Sequence, residues 1–119
     1  MYSIKVLGSF SAAHNLRGYK GKCEDLHGHN WRVELVLSSS KLDKIGMVMD
    51  FKCLKAELNS VLEEFDHKYL NNHVFFKKVN PTSENIAKYI FDKIRKRGVR
   101  AESVTIWEND TSAATYRIK

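Results

Sequence analysis

The chain is 119 residues long, with 43% hydrophobic and 29% charged residues, a balance that excludes a disordered polypeptide and suits one core. Twenty Lys and Arg against fourteen Asp and Glu give a formal charge of +6, which fits an anionic partner, either nucleic acid or a polyphosphate small molecule, or simply a soluble surface. The longest apolar runs, such as Leu35-Val36-Leu37, are far too short to cross a bilayer, and Lys5, Ser9 and Ser11 interrupt any signal-peptide core.

Ser3 to Phe10 reads as a strand, with Gly8 marking a bulge. Residues 15 to 26 are polar, carry Gly18 and Gly21, and read as a loop. From Asn30 to Ser39, Trp31, Val33, Leu35 and Leu37 alternate with Arg32 and Glu34, the pattern of a half-buried strand antiparallel to the first. Asp50 is placed to cap a helix whose apolar face carries Phe51, Leu54, Leu58, Val61, Leu62 and Phe65. Cys53, in its first turn, reads as a passive structural thiol. Pro81 and Thr82 open a second helix with Ile86, Ile90 and Ile94 on one face, and Gly98 closes it. Segments 103–108 and 113–118 read as a last hairpin joined by a four-residue loop. The order ββααββ predicts an α+β protein with helices on one face of a sheet, a single domain over 1–119.

His27-Gly28-His29 carries the most chemistry. In extended backbone, residues two apart project to the same side, so both imidazoles can converge on one ion. His14, ending the first strand, joins them if the two strands pair. Three neutral imidazoles suit Zn2+ with a fourth position open, the arrangement of a catalytic site; the alternative is three polar loop histidines that never meet. Cys23 lies four residues before His27 and is either a reactive thiolate near the metal or a fourth ligand of a structural Cys-His₃ site. Asp66 and His67 form a proton-relay pair only if the helix end is irregular, because neighbours on a regular helix point about 100° apart. His73 offers no such partner. Glu108, beside Trp107, is either a solvent-facing strand end or a carboxylate able to accept two parallel hydrogen bonds from an amino-pyrimidinone edge.

Taken together, Phe10-Ser-Ala-Ala-His14, Cys23-Glu-Asp-Leu-His-Gly-His29, Gly46-Met-Val-Met-Asp-Phe51, Asp66-His-Lys-Tyr-Leu-Asn71 and Pro81-Thr-Ser-Glu-Asn85 resemble the 6-pyruvoyl-tetrahydropterin synthase superfamily over essentially the whole chain. The short Cys-to-His spacing is similar to the 6-carboxy-5,6,7,8-tetrahydropterin synthase branch of queuosine biosynthesis, although Glu24 stands where some relatives carry a catalytic glutamate. The resemblance implies a T-fold (tunnelling fold), a four-stranded antiparallel sheet with two helices on one face, assembled as a cytoplasmic homo-oligomer (trimer or hexamer) with sites between subunits. It implies zinc on His14, His27 and His29, Cys23 as the base, His67 oriented by Asp66 as the relay, and Glu108 holding the pterin with Thr82 nearby. The implied reaction converts 7,8-dihydroneopterin triphosphate to 6-carboxytetrahydropterin, acetaldehyde and triphosphate. Arg17, Lys20 and Lys22 are candidates for phosphate contact, the alternative being exposed loop charge. A pyruvoyl-forming synthase, a basic nucleic-acid-binding module and a purely structural zinc protein are the alternatives; no nucleic-acid motif and no interleaved basic and aromatic stripe is present.

Overall fold

A computed structural model describes residues 1–22 and 24–119. The elements run β1 (Tyr2–His14), β2 (His27–Ser39), α1 (Phe51–Leu62), β3 (Lys68–Tyr69), two single 3-10 turns, α2 (Ser83–Lys96), β4 (Ala101–Asn109) and β5 (Ser112–Arg117). They form a sheet in the order β3-β1-β2-β4-β5. The expected antiparallel ladder is β1-β2-β4-β5, and β3 adds a two-residue parallel edge against Ala12 and Ala13.

Alternation dictates which side of the sheet is covered. Val6, Phe10 and Ala12 from β1 and Trp31, Val33, Leu35 and Leu37 from β2 are buried, and all face the helices. Leu54 and Leu58 of α1 and Ile86, Ile90 and Ile94 of α2, none of them exposed, complete one core. Asp50 caps α1 by accepting from the Lys52 N–H at 2.8 Å, and Thr82 caps α2 by accepting from the Asn85 N–H at 3.1 Å. Each cap satisfies a backbone donor that the helix leaves unpaired. Gly98, at φ 87°, follows α2 in the left-handed conformation that terminates helices.

Several expectations are corrected. Both long strands reach further than propensity suggests, because Ser11, Ala12 and Ala13 are small and carry no strong strand signal while the ladder continues through His14↔His27. Gly8 is not a bulge; it pairs in register with Val33, and a Cβ there would stand 2.8 Å from Leu62 Cδ1 and 3.0 Å from Leu58 Cδ2. Its glycine therefore admits α1 close to the sheet. The irregularities fall instead at Val36/Leu37 and Trp107/Asn109, and β4 and β5 are joined through Asp110 and Thr111 rather than four residues. Phe51 is exposed at the start of α1, whereas Phe65 is buried from the turn after it. Cys53 is exposed, so packing does not hold it. Two backbone edges stay open among the described residues: β5 along its outer side, and β1 over Tyr2 to Phe10, before the contacts with Asp66, His67 and β3 begin.

Candidate metal centre

The β1–β2 ladder places His14 opposite His27, and Ala12 opposite His29. All three imidazoles project from the same side of the two strands as Trp31. Its indole lies against the rings of His14 at 4.9 Å and His29 at 5.1 Å, and its Nε1–H donates to the Ala12 carbonyl at 3.2 Å. β4 brings Glu108 to the same place. One donor atom from each of His14, His27, His29 and Glu108 lies within 4.8 Å of all the others.

Hydrogen bonds to the backbone decide what these rings offer. His14, 2% exposed, donates Nδ1–H to the Pro81 carbonyl at 2.8 Å, and His27 donates Nδ1–H to the Asp25 carbonyl at 2.9 Å. In the neutral rings both Nε2 atoms are then unprotonated, and they face each other at 3.1 Å. Two lone pairs at that separation repel unless a cation or proton lies between them. Glu108 Oε1 adds negative charge 3.4 Å from His14 Nε2 and 3.0 Å from His29 Nε2. The His29 nitrogen is nevertheless buried without a hydrogen-bond partner. Burial holds the His29 pKa below its ordinary value despite the opposing pull of Glu108, which keeps its lone pair available at neutral pH. Converging imidazole lone pairs, an orphaned nitrogen and a carboxylate are the donor set of a transition-metal site. The Pro81 and Asp25 carbonyls, which orient two ligands as outer-shell partners do, carried no signal in the sequence.

The Asp66–His67 pair forms because the chain leaves α1 irregularly. His67 adopts φ 59°, its N–H donates to the Ser11 carbonyl at 2.6 Å, and its Nδ1 reaches Asp66 Oδ2 at 3.1 Å. The Ser11 N–H, at 2.9 Å from Asp66 Oδ1, is the main cause that holds this carboxyl below its usual pKa. The pair does not meet the imidazole cluster. His67 is 82% exposed and lines an open cavity of about 460 Å3 at the β1–β2 end with Ser11, Ala13, Gly28 and Asn30, whose alternation turns them to the helix-free side, and with Ala12 and the cluster residue His29. Among the described residues, no hydrogen bond, ion pair or ring contact joins His67 to the cluster.

Cys23 lies outside the described residues. Glu24, next to it, accepts from the Leu16 N–H at 3.2 Å and stands 3.8 Å from His27 Nδ1. Thr82 Oγ1 is engaged in its capping bond, one residue after the carbonyl that orients His14. Arg17 is not a free phosphate contact: its guanidinium donates to the Phe76 and Val79 carbonyls. Lys20 and Lys22 are exposed. His73 has partners after all, pairing with Glu64 at 3.0 Å while the Tyr89 hydroxyl donates to the same carboxylate oxygen at 2.6 Å. It is a satisfied structural histidine.

A family model described as 6-pyruvoyl tetrahydropterin synthase matches residues 3–119. The chain belongs to this family. It is 44% identical over 122 residues to a 6-carboxy-5,6,7,8-tetrahydropterin synthase of Synechocystis sp., covering 98% of this chain and 93% of that protein. It is 38% identical over 105 residues to a dihydroneopterin monophosphate aldolase of Pyrococcus furiosus, covering 86% and 85%. The solved 6-pyruvoyl tetrahydropterin synthase of Caenorhabditis elegans superposes with a TM-score of 0.86 at 32% identity, covering 99% of this chain and 96% of that one. The fold is the T-fold of this family, α+β with two helices on a mostly antiparallel sheet.

Proposed function

We propose that this chain is a zinc-dependent 6-carboxy-5,6,7,8-tetrahydropterin synthase, a cytoplasmic lyase that converts 7,8-dihydroneopterin triphosphate and one water to 6-carboxytetrahydropterin, acetaldehyde and triphosphate for queuosine or another 7-deazapurine. The observation that carries it is the cluster of His14, His27, His29 and Glu108, with its facing lone pairs, in a chain of the pterin synthase family. The near-complete match to a relative bearing the carboxy-forming name supports that product.

In this reading His14, His27 and His29 hold the ion, with tautomers preset by the Pro81 and Asp25 carbonyls. Zinc supplies Lewis acidity toward the substrate's side-chain oxygens, which acidifies the neighbouring C–H. Cys23 takes that proton as thiolate, and Asp66 holds His67 oriented to pass protons to the departing fragments. Glu108 holds the substrate against the metal, with Thr82 beside it. Excess positive charge, including Lys20 and Lys22, favours the triphosphate.

Cluster and relay make no contact within one chain, so the Asp66–His67 pair serves a neighbouring subunit's metal in this reading. The open edges of β1 and β5 support such an assembly, because long unpaired edges are normally covered. The domain then spans 1–119 and works only as part of a trimer or hexamer.

A second reading has one observation behind it. Glu24 places a carboxylate base 3.8 Å from His27, which suits retro-aldol cleavage of the same side chain, and an aldolase is among the matched relatives. Mass spectrometry of the products formed from dihydroneopterin triphosphate tests all readings. Acetaldehyde and the 6-carboxy product are expected. A 6-pyruvoyl product without any aldehyde, or a 6-hydroxymethyl pterin with a two-carbon aldehyde that still carries the triphosphate, would replace the proposed reaction by the pyruvoyl-forming or aldolase one. Protein that neither retains zinc nor turns over the substrate would refute it.

A further inference from the structure

Besides Lys68, the motif Asp66-His-Lys-Tyr-Leu-Asn71 contains two polar residues, Tyr69 and Asn71, for which the reaction above has no use. Both converge on Asn15. Asn71, buried at 7% exposure, accepts the Asn15 N–H on Oδ1 at 3.0 Å and donates Nδ2–H to the Asn15 carbonyl at 2.8 Å. Its amide thus makes both bonds that a paired strand residue would make, extending the β3 contact two residues further along the chain. The Tyr69 hydroxyl donates to Asn15 Oδ1 at 2.5 Å. That leaves the Asn15 side-chain N–H₂, which donates to the Glu24 carbonyl at 3.1 Å.

Every polar group of Asn15 is therefore engaged, and the four bonds join three parts of the site. Asn15 follows the metal-cluster residue His14 in sequence. Tyr69 and Asn71 belong to the segment that opens with the Asp66–His67 relay. Glu24 follows Cys23 and closes the loop base, with its N–H on the Leu16 carbonyl at 2.9 Å and its carboxylate on the Leu16 N–H at 3.2 Å. We propose that Asn15 is a positioning residue that fixes Glu24, the residue after Cys23 in sequence, relative to the metal cluster, and that Tyr69 sets its side-chain amide for that purpose. A primary amide suits the place because it accepts from a phenol on one atom and donates to a carbonyl on the other. An aspartate would keep the first bond and turn the second into oxygen against oxygen. The inference rests on the reaction proposed above, since Glu24 is the sequence neighbour of that reaction's base.

The test compares wild type with Asn15→Asp and Tyr69→Phe in the intact oligomer. Asn15→Asp is expected to lower kcat for dihydroneopterin triphosphate at least about tenfold, as expected when a reacting group is misplaced, with KM changed less than about threefold. Zinc content should stay at the wild-type value, because none of the three imidazoles bonds to Asn15 and His14 keeps its bond to the Pro81 carbonyl. Amide exchange at Leu16 and Glu24 should accelerate at least about tenfold while Val33 and Leu35 in the sheet keep their protection. Tyr69→Phe should move kcat and loop exchange the same way by less, and it carries the test alone if Asn15→Asp does not fold. Unchanged exchange at Glu24 would overturn the inference, as would full kcat in a variant whose loop exchange has risen. A wild-type protein without turnover would refute the proposed reaction and the positioning role together, whereas an active wild type with an indifferent variant refutes the positioning role alone.

Discussion

The separation of His67 from the imidazole cluster makes a quantitative prediction about paired defective subunits. His27→Ala removes one of the two lone pairs that face each other at 3.1 Å and should abolish metal-dependent activity. His67→Ala removes a ring that is 82% exposed and hydrogen-bonded only to its neighbour, so it should change stability by no more than about 0.5 kcal/mol while abolishing the relay. If each site joins the metal half of one chain to the relay half of the next, co-assembly in equal amounts restores some sites. A working site needs a metal half from a His67→Ala chain and a relay half from a His27→Ala chain, each with even chance. Mixed oligomers should therefore show about a quarter of wild-type activity in a closed cyclic assembly. The assay is acetaldehyde release by co-expressed variants, beside each variant alone and the two purified separately and combined without exchange. A co-expressed mixture no more active than its separate components would refute the crossing of relay and metal between subunits.

Three further outcomes follow from particular contacts. Glu108→Gln should retain zinc on the three imidazoles but lose about 10- to 150-fold in kcat/KM, the cost of about 1.5 to 3 kcal/mol for a charged hydrogen bond to substrate; loss of the metal on this substitution would make Glu108 a ligand instead. Gly8→Val should destabilise the protein by about 1 to 3 kcal/mol through overpacking against Leu58 and Leu62, with Gly8→Ala milder because only the two leucine methyl ends must shift; an unchanged thermal midpoint for the valine variant would contradict that close approach. Glu64 is pushed up by burial, but its bonds from Tyr89 and His73 and the charge of Lys93 outweigh that and leave its pKa below the ordinary 4.5. The unfolded chain then binds more protons in that range, so this contribution is full above about pH 4.5 and is lost as pH falls through the folded-state value. Urea unfolding from about pH 6 down to 3 should accordingly be less pH-dependent in Glu64→Gln than in wild type, and identical profiles would refute the assignment.

Much of the fold was legible because its signals are local. Period-two alternation in β2 needs only the sequence, and it already places His27 and His29 on one side. The caps at Asp50 and Thr82, the stop at Gly98 and the isoleucines of α2 are likewise set by residues within a turn or two of one another. Other expectations failed where a distant surface decides: Gly8 is read as a bulge until α1 is seen lying against it, and His73 is partnerless until Glu64 and Tyr89 arrive from other segments. The same division runs through the metal centre. The sequence by itself determined which residue types could bind an ion and that two of them share a strand face. Only the tertiary structure decided the tautomers of His14 and His27, through carbonyls of Pro81 and Asp25, the approach of Glu108 from β4, and the placing of His67 out of contact with the cluster. Backbone carbonyls, and a left-handed conformation at a non-glycine residue such as His67, have no residue code, and where a loop returns to a sheet is set by packing of the whole chain.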